Sequence, residues 1–230
     1  MINSKRLLIS ASAFGLIATL STINSSLPAN AVPLPSVRHY HDITKSQTHT
    51  LKVQVRTHDI REESQNFIKD IADRGIGFLK NQELSVENRE KEFRNMLEES
   101  FDMKTIGRFA LGKYWRQATK DQKKEYLCLF ENMIVNVYSR RFGEYNGEKF
   151  EVISSREQGT SDVIVASHII TGGSEPISID WRVRKKDDHF VVIDIIVAGV
   201  SMALTQRSDF AAVIQRGGGK IDVLLEHLRK

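Results

Sequence analysis

Two polar side chains sit inside the most apolar stretches of the chain's second half, His168 within 162–171 and Asp194 within 190–197. A carboxylate beside an imidazole can move protons near neutral pH, so the pair has the character of a general acid–base couple. The competing reading is that each is satisfied by a backbone or arginine partner, as buried polar groups usually are. His39 and His41 form an H-x-H, but no Cys or carboxylate stands with them at ligand spacing, so they read as a surface pair and not a metal centre. Cys128, the only cysteine, excludes an internal disulfide. Set among Tyr126, Leu127, Leu129 and Phe130, it reads as a buried, inert thiol. Gly217-Gly218-Gly219 ahead of Lys220 lacks the preceding strand and the Ser or Thr of a phosphate loop, and reads as a helix stop. No nucleophile elbow, zinc-protease motif, C-x-x-C or dinucleotide fingerprint is present. The chain therefore carries abundant apolar surface without a convergent catalytic set. It is expected to bind an apolar molecule rather than act as an enzyme, with no cofactor and no metal.

The elements that must hold such a site follow from periodicity. Ile60, Phe67, Ile68, Ile71, Ile76 and Leu79 recur at helical spacing from Asp59 onward. Ser85 is a candidate N-cap for a second helix through Phe93, Met96 and Leu97, and Asp102 for a third that ends near Gly112. Thr119 with Gln122 forms a capping box that opens the longest amphipathic helix, carried by Tyr126, Phe130, Met133, Ile134, Val137 and Tyr138 to about Arg141. Beyond Gly147 the period changes to two. A strand opens at Phe150–Ile153, a second runs from Asp162, and Ile177, Ile179, Trp181 and Val183 alternate with polar residues. Asp187-Asp188 turns the chain into 190–197, apolar on both faces apart from Asp194, which belongs in the middle of the structure. Helices over about 201–215 and 220–228 close the chain. Helices, then an antiparallel sheet of about four strands, then helices make an α+β domain.

The chain's start has the layout of a secretory leader. Lys5 and Arg6 precede an apolar run from Leu7 to Leu20, and Ala29 and Ala31 satisfy the small-residue rule for cleavage. That run is about 14 residues against the roughly 20 that span a bilayer. Residues 1–31 are thus expected to be removed, residues 32–57 to form a flexible lead-in, and residues 58–230 to fold as one domain, periplasmic and soluble. The leader holds two of the 33 basic residues and none of the 29 acidic ones, so the mature excess is small. It does not point to nucleic acid, which calls for a dense basic patch.

Two segments carry a resemblance. Phe101-Asp102-Met103 followed by Leu111-Gly112-Lys113-Tyr114-Trp115-Arg116-Gln117-Ala118-Thr119 is similar to the F-D-x…LG-x-YWR-x-A(S/T) pattern of the MlaC family. These are periplasmic phospholipid-shuttle proteins, also called toluene-tolerance or ABC-transporter auxiliary proteins. Ile193 to Met202, continued by Gln206-Arg207-Ser208-Asp209-Phe210, the glycines and the last helix, resembles the family's C-terminal pattern. Ala198 stands where the family often has an acidic residue, and the glycine run is one residue longer. The resemblance implies an NTF2-like cone with a helical subdomain and an apolar cavity. It implies a monomer that carries phospholipid between an outer-membrane lipoprotein–porin complex and an inner-membrane ABC transporter bearing an MCE protein, and so maintains outer-membrane asymmetry. An NTF2-like enzyme, or a carrier of another hydrophobic metabolite such as a hopanoid, is the rival reading.

Such cargo needs an enclosed slot. Each buried CH₂ is worth about 0.8 kcal/mol, so two acyl chains represent on the order of 20 kcal/mol of contact with water to be prevented. The long helix and the doubly apolar strand are the natural walls. The tail contacts expected from them are Phe130, Ile134, Val137, Ile179, Trp181, Val192, Ile196 and Val200, with Tyr114 and Trp115 near the mouth. Arg116 and Arg207 are expected to face a headgroup phosphate or a partner protein.

Overall fold

The computed structural model describes residues 47–81, 83–173 and 175–230, so the leader and His39–His41 lie outside the described residues. The chain divides into two units, Met1–Thr57 and His58–Lys230, and the second holds all of the strands and every helix but the start of the first. The helices ahead of the sheet are α1 (Gln47–Lys80), α2 (Val86–Ser100), α3 (Met103–Leu111), α4 (Tyr114–Gln117) and α5 (Lys120–Ser139). Strands β1 (Lys149–Gln158), β2 (Asp162–Ile170), β3 (Ile177–Lys186), β4 (His189–Val197) and β5 (Val200–Ser201) come next, then helices α6 (Met202–Arg216) and α7 (Ile221–Leu228). The α+β expectation holds, with a fifth, two-residue strand added. The first helix starts at Gln47, ahead of the Asp59 at which apolar periodicity begins.

The helix starts are where cap chemistry puts them. Ser85 Oγ accepts from the Asn88 N–H, and Asp102 from the Thr105 N–H. Thr119 and Gln122 close a reciprocal capping box. Each satisfies backbone donors that the first helical turn leaves open. At the other end of α6 the glycines do terminate the helix, with the Gly219 N–H reaching back to the Ile214 carbonyl.

The sheet is antiparallel throughout, in the order β1-β2-β3-β4-β5. Val191, Val192 and Ile193 are buried on both faces of β4, as the apolar run requires. The strand nevertheless lies next to an edge and not in the middle. Beyond it there is only β5, paired at Ile196 and Val197, and the Phe101 segment, where the Asp102 N–H donates to the Val192 carbonyl.

Two apolar clusters form. One is purely helical and joins Ala110, Leu111 and Tyr114 to Tyr126, Phe130, Phe210, Ile214 and Leu224. Its centre is tight. Tyr126 donates to the Gly107 carbonyl at 2.9 Å, and a Cβ on Gly107 would meet Leu127 Cδ2 at 2.9 Å, so α3 and α5 approach closely only because that position lacks a side chain. Burial pushes the Tyr126 phenol up, which keeps it neutral and a donor. The second cluster packs one sheet face (Val163, Val165, Val183, Val192) on Ile68, Ile71 and Phe78 of α1 and Met96 of α2.

Cys128 corrects an expectation. It is exposed. Tyr126 and Phe130, four residues apart, define the covered face of α5, and a residue midway between them must point the other way.

Candidate functional site

Residue by residue, the structure separates the expected site into parts. In the sheet, Ile179 pairs with Val197 and Trp181 with Ile195, which puts all four on the face that carries the second cluster. Val192 joins them through its pairing with Val183. Trp181 is anchored there by its indole N–H, which donates to Ser167 Oγ at 2.9 Å. Phe150, Trp181, Ile195 and Val197 are only half-buried, so this end of the apolar face is incompletely covered.

Ile196 does not belong to that face. It pairs with Asp180, whereas Val192, four residues earlier, pairs with Val183. The register shift opposite Arg182/Val183 inserts one residue into β4 and reverses the side on which later residues emerge. Val200 is 53% exposed at the tip beyond the Ala198-Gly199 turn and lines no enclosed space. On α5, Phe130 is 2% exposed and belongs to the helical core, stacked on Tyr126 at 5.8 Å and edge-on to Phe210 at 6.1 Å. Ile134 and Val137 keep part of their surface accessible. Tyr114 is buried in the helical cluster and so does not stand at a mouth, because α4 turns its ring inward, while Trp115 packs half-buried against that cluster and Arg116 is exposed.

The acid–base couple does not assemble. His168 pairs with Ser178 and Asp194 with Arg182, positions four residues apart on the intervening strand, which is roughly 13 Å along it. Asp194 instead ties β4 to the start of α6. One carboxylate oxygen accepts from the Ile195 N–H at 2.9 Å and the Ala203 N–H at 3.1 Å, and the other from Ser201 Oγ at 2.6 Å.

Cationic side chains gather elsewhere, in a pocket of about 590 Å³. Arg108, Lys113, Arg116, Arg184 and Arg207 line it, with Phe109 and Trp115 as its aromatic members and no acid among its walls. Of these cations only Arg116 and Arg207 are expected from the sequence to face a headgroup or a partner. Lys113 lies in the same family-like segment as Arg116, whereas Arg108 and Arg184 come from α3 and β3. Arg207 is held over the Phe109 ring, its guanidinium 5.3 Å from the centroid. Arg184 is fixed by Asp162, whose carboxylate receives Arg184 at 2.6 and 3.0 Å and Arg182 at 2.8 Å. Burial alone would raise the Asp162 carboxyl, but the two guanidiniums outweigh it and hold the group below the usual carboxylate range.

Gly112 makes the approach of Arg207 possible. Its φ is +58°, and an added Cβ would sit 2.9 Å from Arg207 Nε. Gly112→Ala is therefore expected to cost about 1–3 kcal/mol from the backbone conformation alone. It should also push the guanidinium off Phe109, which urea denaturation together with the side-chain NMR signals of Arg207 would reveal. An unchanged midpoint and unchanged signals would contradict this account of the glycine.

Among the described residues no group of three His, Cys, Asp or Glu side chains could hold a metal, and no helix is long and apolar enough to cross a membrane.

The sequence profile described as MlaC protein matches residues 69–230. The intermembrane phospholipid transport system binding protein MlaC of Haemophilus influenzae is 26% identical over 141 residues, 60% of this chain and 65% of that protein. Toluene tolerance protein ttg2D of Pseudomonas putida is 21% identical over 114 residues, 50% of this chain and 53% of that protein. The chain thus spans between about half and two thirds of the length of these relatives. Among solved structures, a phospholipid-binding protein from Ralstonia solanacearum, in complex with a phospholipid, superposes with a TM-score of 0.63 at 24% identity. That match covers 72% of this chain and 94% of the other, and the likeness is one of fold.

Proposed function

Because the chain belongs to the MlaC family, we propose that it is a phospholipid carrier that moves lipid through the periplasm. The reading rests chiefly on the family match across residues 69–230, which takes in the helical cluster, most of the second cluster and the cationic pocket. The relatives' names and the lipid bound to the Ralstonia structure support the same cargo class. In this proposal residues 1–31 direct export and are removed, and residues 58–230 do the carrying as a monomer. Lipid passes between an outer-membrane lipoprotein–porin complex and an inner-membrane ABC transporter with its MCE protein, and the traffic maintains outer-membrane asymmetry. Direction comes from the energy-coupled partner, since a binding site has no direction of its own.

The tails are received where the apolar sheet face is incompletely covered. Ile179, Trp181 and Val192 form its floor, and Ile134 and Val137 of α5 contribute the accessible helical side. Phe130 supports that helix from behind. Val200 lies at the rim, Ile196 emerges on the opposite face of the sheet, and Arg116 and Arg207 face the phosphate. Keeping two acyl chains out of water requires an enclosed slot to open around them, since no exposed patch can shield on the order of 20 kcal/mol of apolar contact. No covalent step is involved. Asp194 is occupied by backbone and hydroxyl donors and His168 is remote, so nothing in the geometry favours turnover.

Organic extraction of the purified exported protein followed by mass spectrometry is expected to give diacyl phospholipid at about one per chain. An extract free of lipid, together with no uptake from phospholipid vesicles, would sink the carrier reading. A terpenoid in place of diacyl lipid would keep the cavity and replace the cargo.

A further inference from the structure

The cationic pocket has a chemistry of its own. Among the described residues Arg108, Lys113, Arg116 and Arg207 make no ion pair, although the protein forms such pairs freely elsewhere. The two acids that act on Arg184 are already engaged, Asp162 by Arg182 and Arg184, and Asp102 by Lys186 at 2.9 Å. Four unneutralised cations around one concavity repel one another, and the aromatic seat under Arg207 holds the arrangement open. Guanidinium forks converging from α3, α4 and α6 match an anion that offers several oxygens at one centre. A single carboxylate would leave most of these donors unused.

We infer that this pocket is a phosphate-binding site, and that it makes the protein favour cargo whose headgroup carries net negative charge. A phosphodiester alone offsets one of the four free cations. A zwitterionic headgroup brings its own ammonium into the same cationic field, and an anionic one does not. The second half of the inference rests on the carrier reading, whereas the phosphate chemistry of the pocket does not.

Two measurements on the delipidated mature chain test it. In the first, the protein is incubated with vesicles of equimolar phosphatidylglycerol and phosphatidylcholine, and the captured lipids are counted by mass spectrometry. About tenfold enrichment of phosphatidylglycerol is expected, the discrimination that roughly 1.4 kcal/mol confers. Arg116→Gln and Arg108→Gln, both at exposed side chains, should each reduce the enrichment, and undiminished enrichment in both variants would overturn the pocket's part in it. In the second, inorganic phosphate and glycerol 3-phosphate are titrated while the arginine side-chain NMR signals are followed. Saturable shifts of the pocket arginines are expected, and they should disappear once phosphatidylglycerol is loaded, which identifies the source as a headgroup. Shifts that persist unchanged in lipid-loaded protein would also establish the phosphate site but assign it to free phosphate, overturning the headgroup half. Normal loading without headgroup preference and without a phosphate response would overturn the whole inference and leave the carrier reading standing. A phosphate response in a protein that loads no lipid would keep the phosphate site and overturn the carrier reading, and the headgroup half with it.

Discussion

Phe130→Ala is expected to lower the folding free energy by about 3–5 kcal/mol, the range for deleting a fully buried aromatic ring. Phe130 is 2% exposed, stacked on Tyr126 and edge-on to Phe210, and it lies against the bare backbone of Gly107, where a Cβ would come within 3.2 Å of its ring. Neighbours fixed that tightly by the Tyr126–Gly107 hydrogen bond and the α3–α5 crossing cannot collapse into the space left behind, so the cavity term is retained. Most domains are stable by only about 5–15 kcal/mol, and the variant should melt well below the parent. Chemical denaturation of delipidated protein measures it. The comparison that carries weight is with Val137→Ala on the same helix. Val137 keeps part of its surface accessible, so the loss there should be much smaller. Equal losses at the two positions would mean that both face the same packed interior and that α5 has no accessible side for a ligand.

That contrast marks how far the sequence can be read. Caps are legible because their chemistry is local. Ser85, Asp102 and Thr119 each need only a side-chain oxygen and the next helical turn, and all three act as expected. The hairpin of β3 and β4 is legible because alternation and a two-residue Asp turn specify it without reference to anything distant. Strand facing is not. Val192 and Ile196 are four residues apart, which by alternation alone puts them on one wall, but the irregularity opposite Arg182/Val183 sends them to opposite sides, and no residue in that stretch marks it. The breadth of the apolar stripe on α5 hides which side is covered, which is why Cys128 is exposed against expectation and Phe130 is core. The pocket is half legible. Lys113, Arg116 and Arg207 stand in the two family-like segments, whereas Arg108 and Arg184 join them only because α3 packs on α6 and on β4, the strand beside β3. Long-range packing of this kind has no signature in spacing.

Asp194 is the position at which structure and chemistry make opposite forecasts. Asp194→Ala removes the acceptor for two backbone N–H groups and for Ser201 Oγ, at the junction of β4, β5 and α6. Ser201 is itself the N-cap of α6, accepting from the Leu204 N–H at 3.1 Å, so losing the carboxylate also frees the residue that starts the helix. Hydrogen bonds to a charged acceptor contribute about 1.5–3 kcal/mol each and do not add independently when they share one group, so a total loss of about 3 kcal/mol is expected. Asp194→Asn keeps one acceptor oxygen in the same place. It should retain the bonds to Ile195 and Ala203 and lose mainly the short contact with Ser201, for about half the effect. If Asp194 were a general base, the ranking of the two variants would be different. Asparagine cannot take a proton and would be as damaging to activity as alanine, while stability would hardly move in either case. Urea denaturation of both variants separates these forecasts. A graded loss of stability, with lipid loading intact in the molecules that remain folded, assigns the carboxylate to the joint between sheet and helix. Equal stability of both variants and the parent would return Asp194 to the reactive groups.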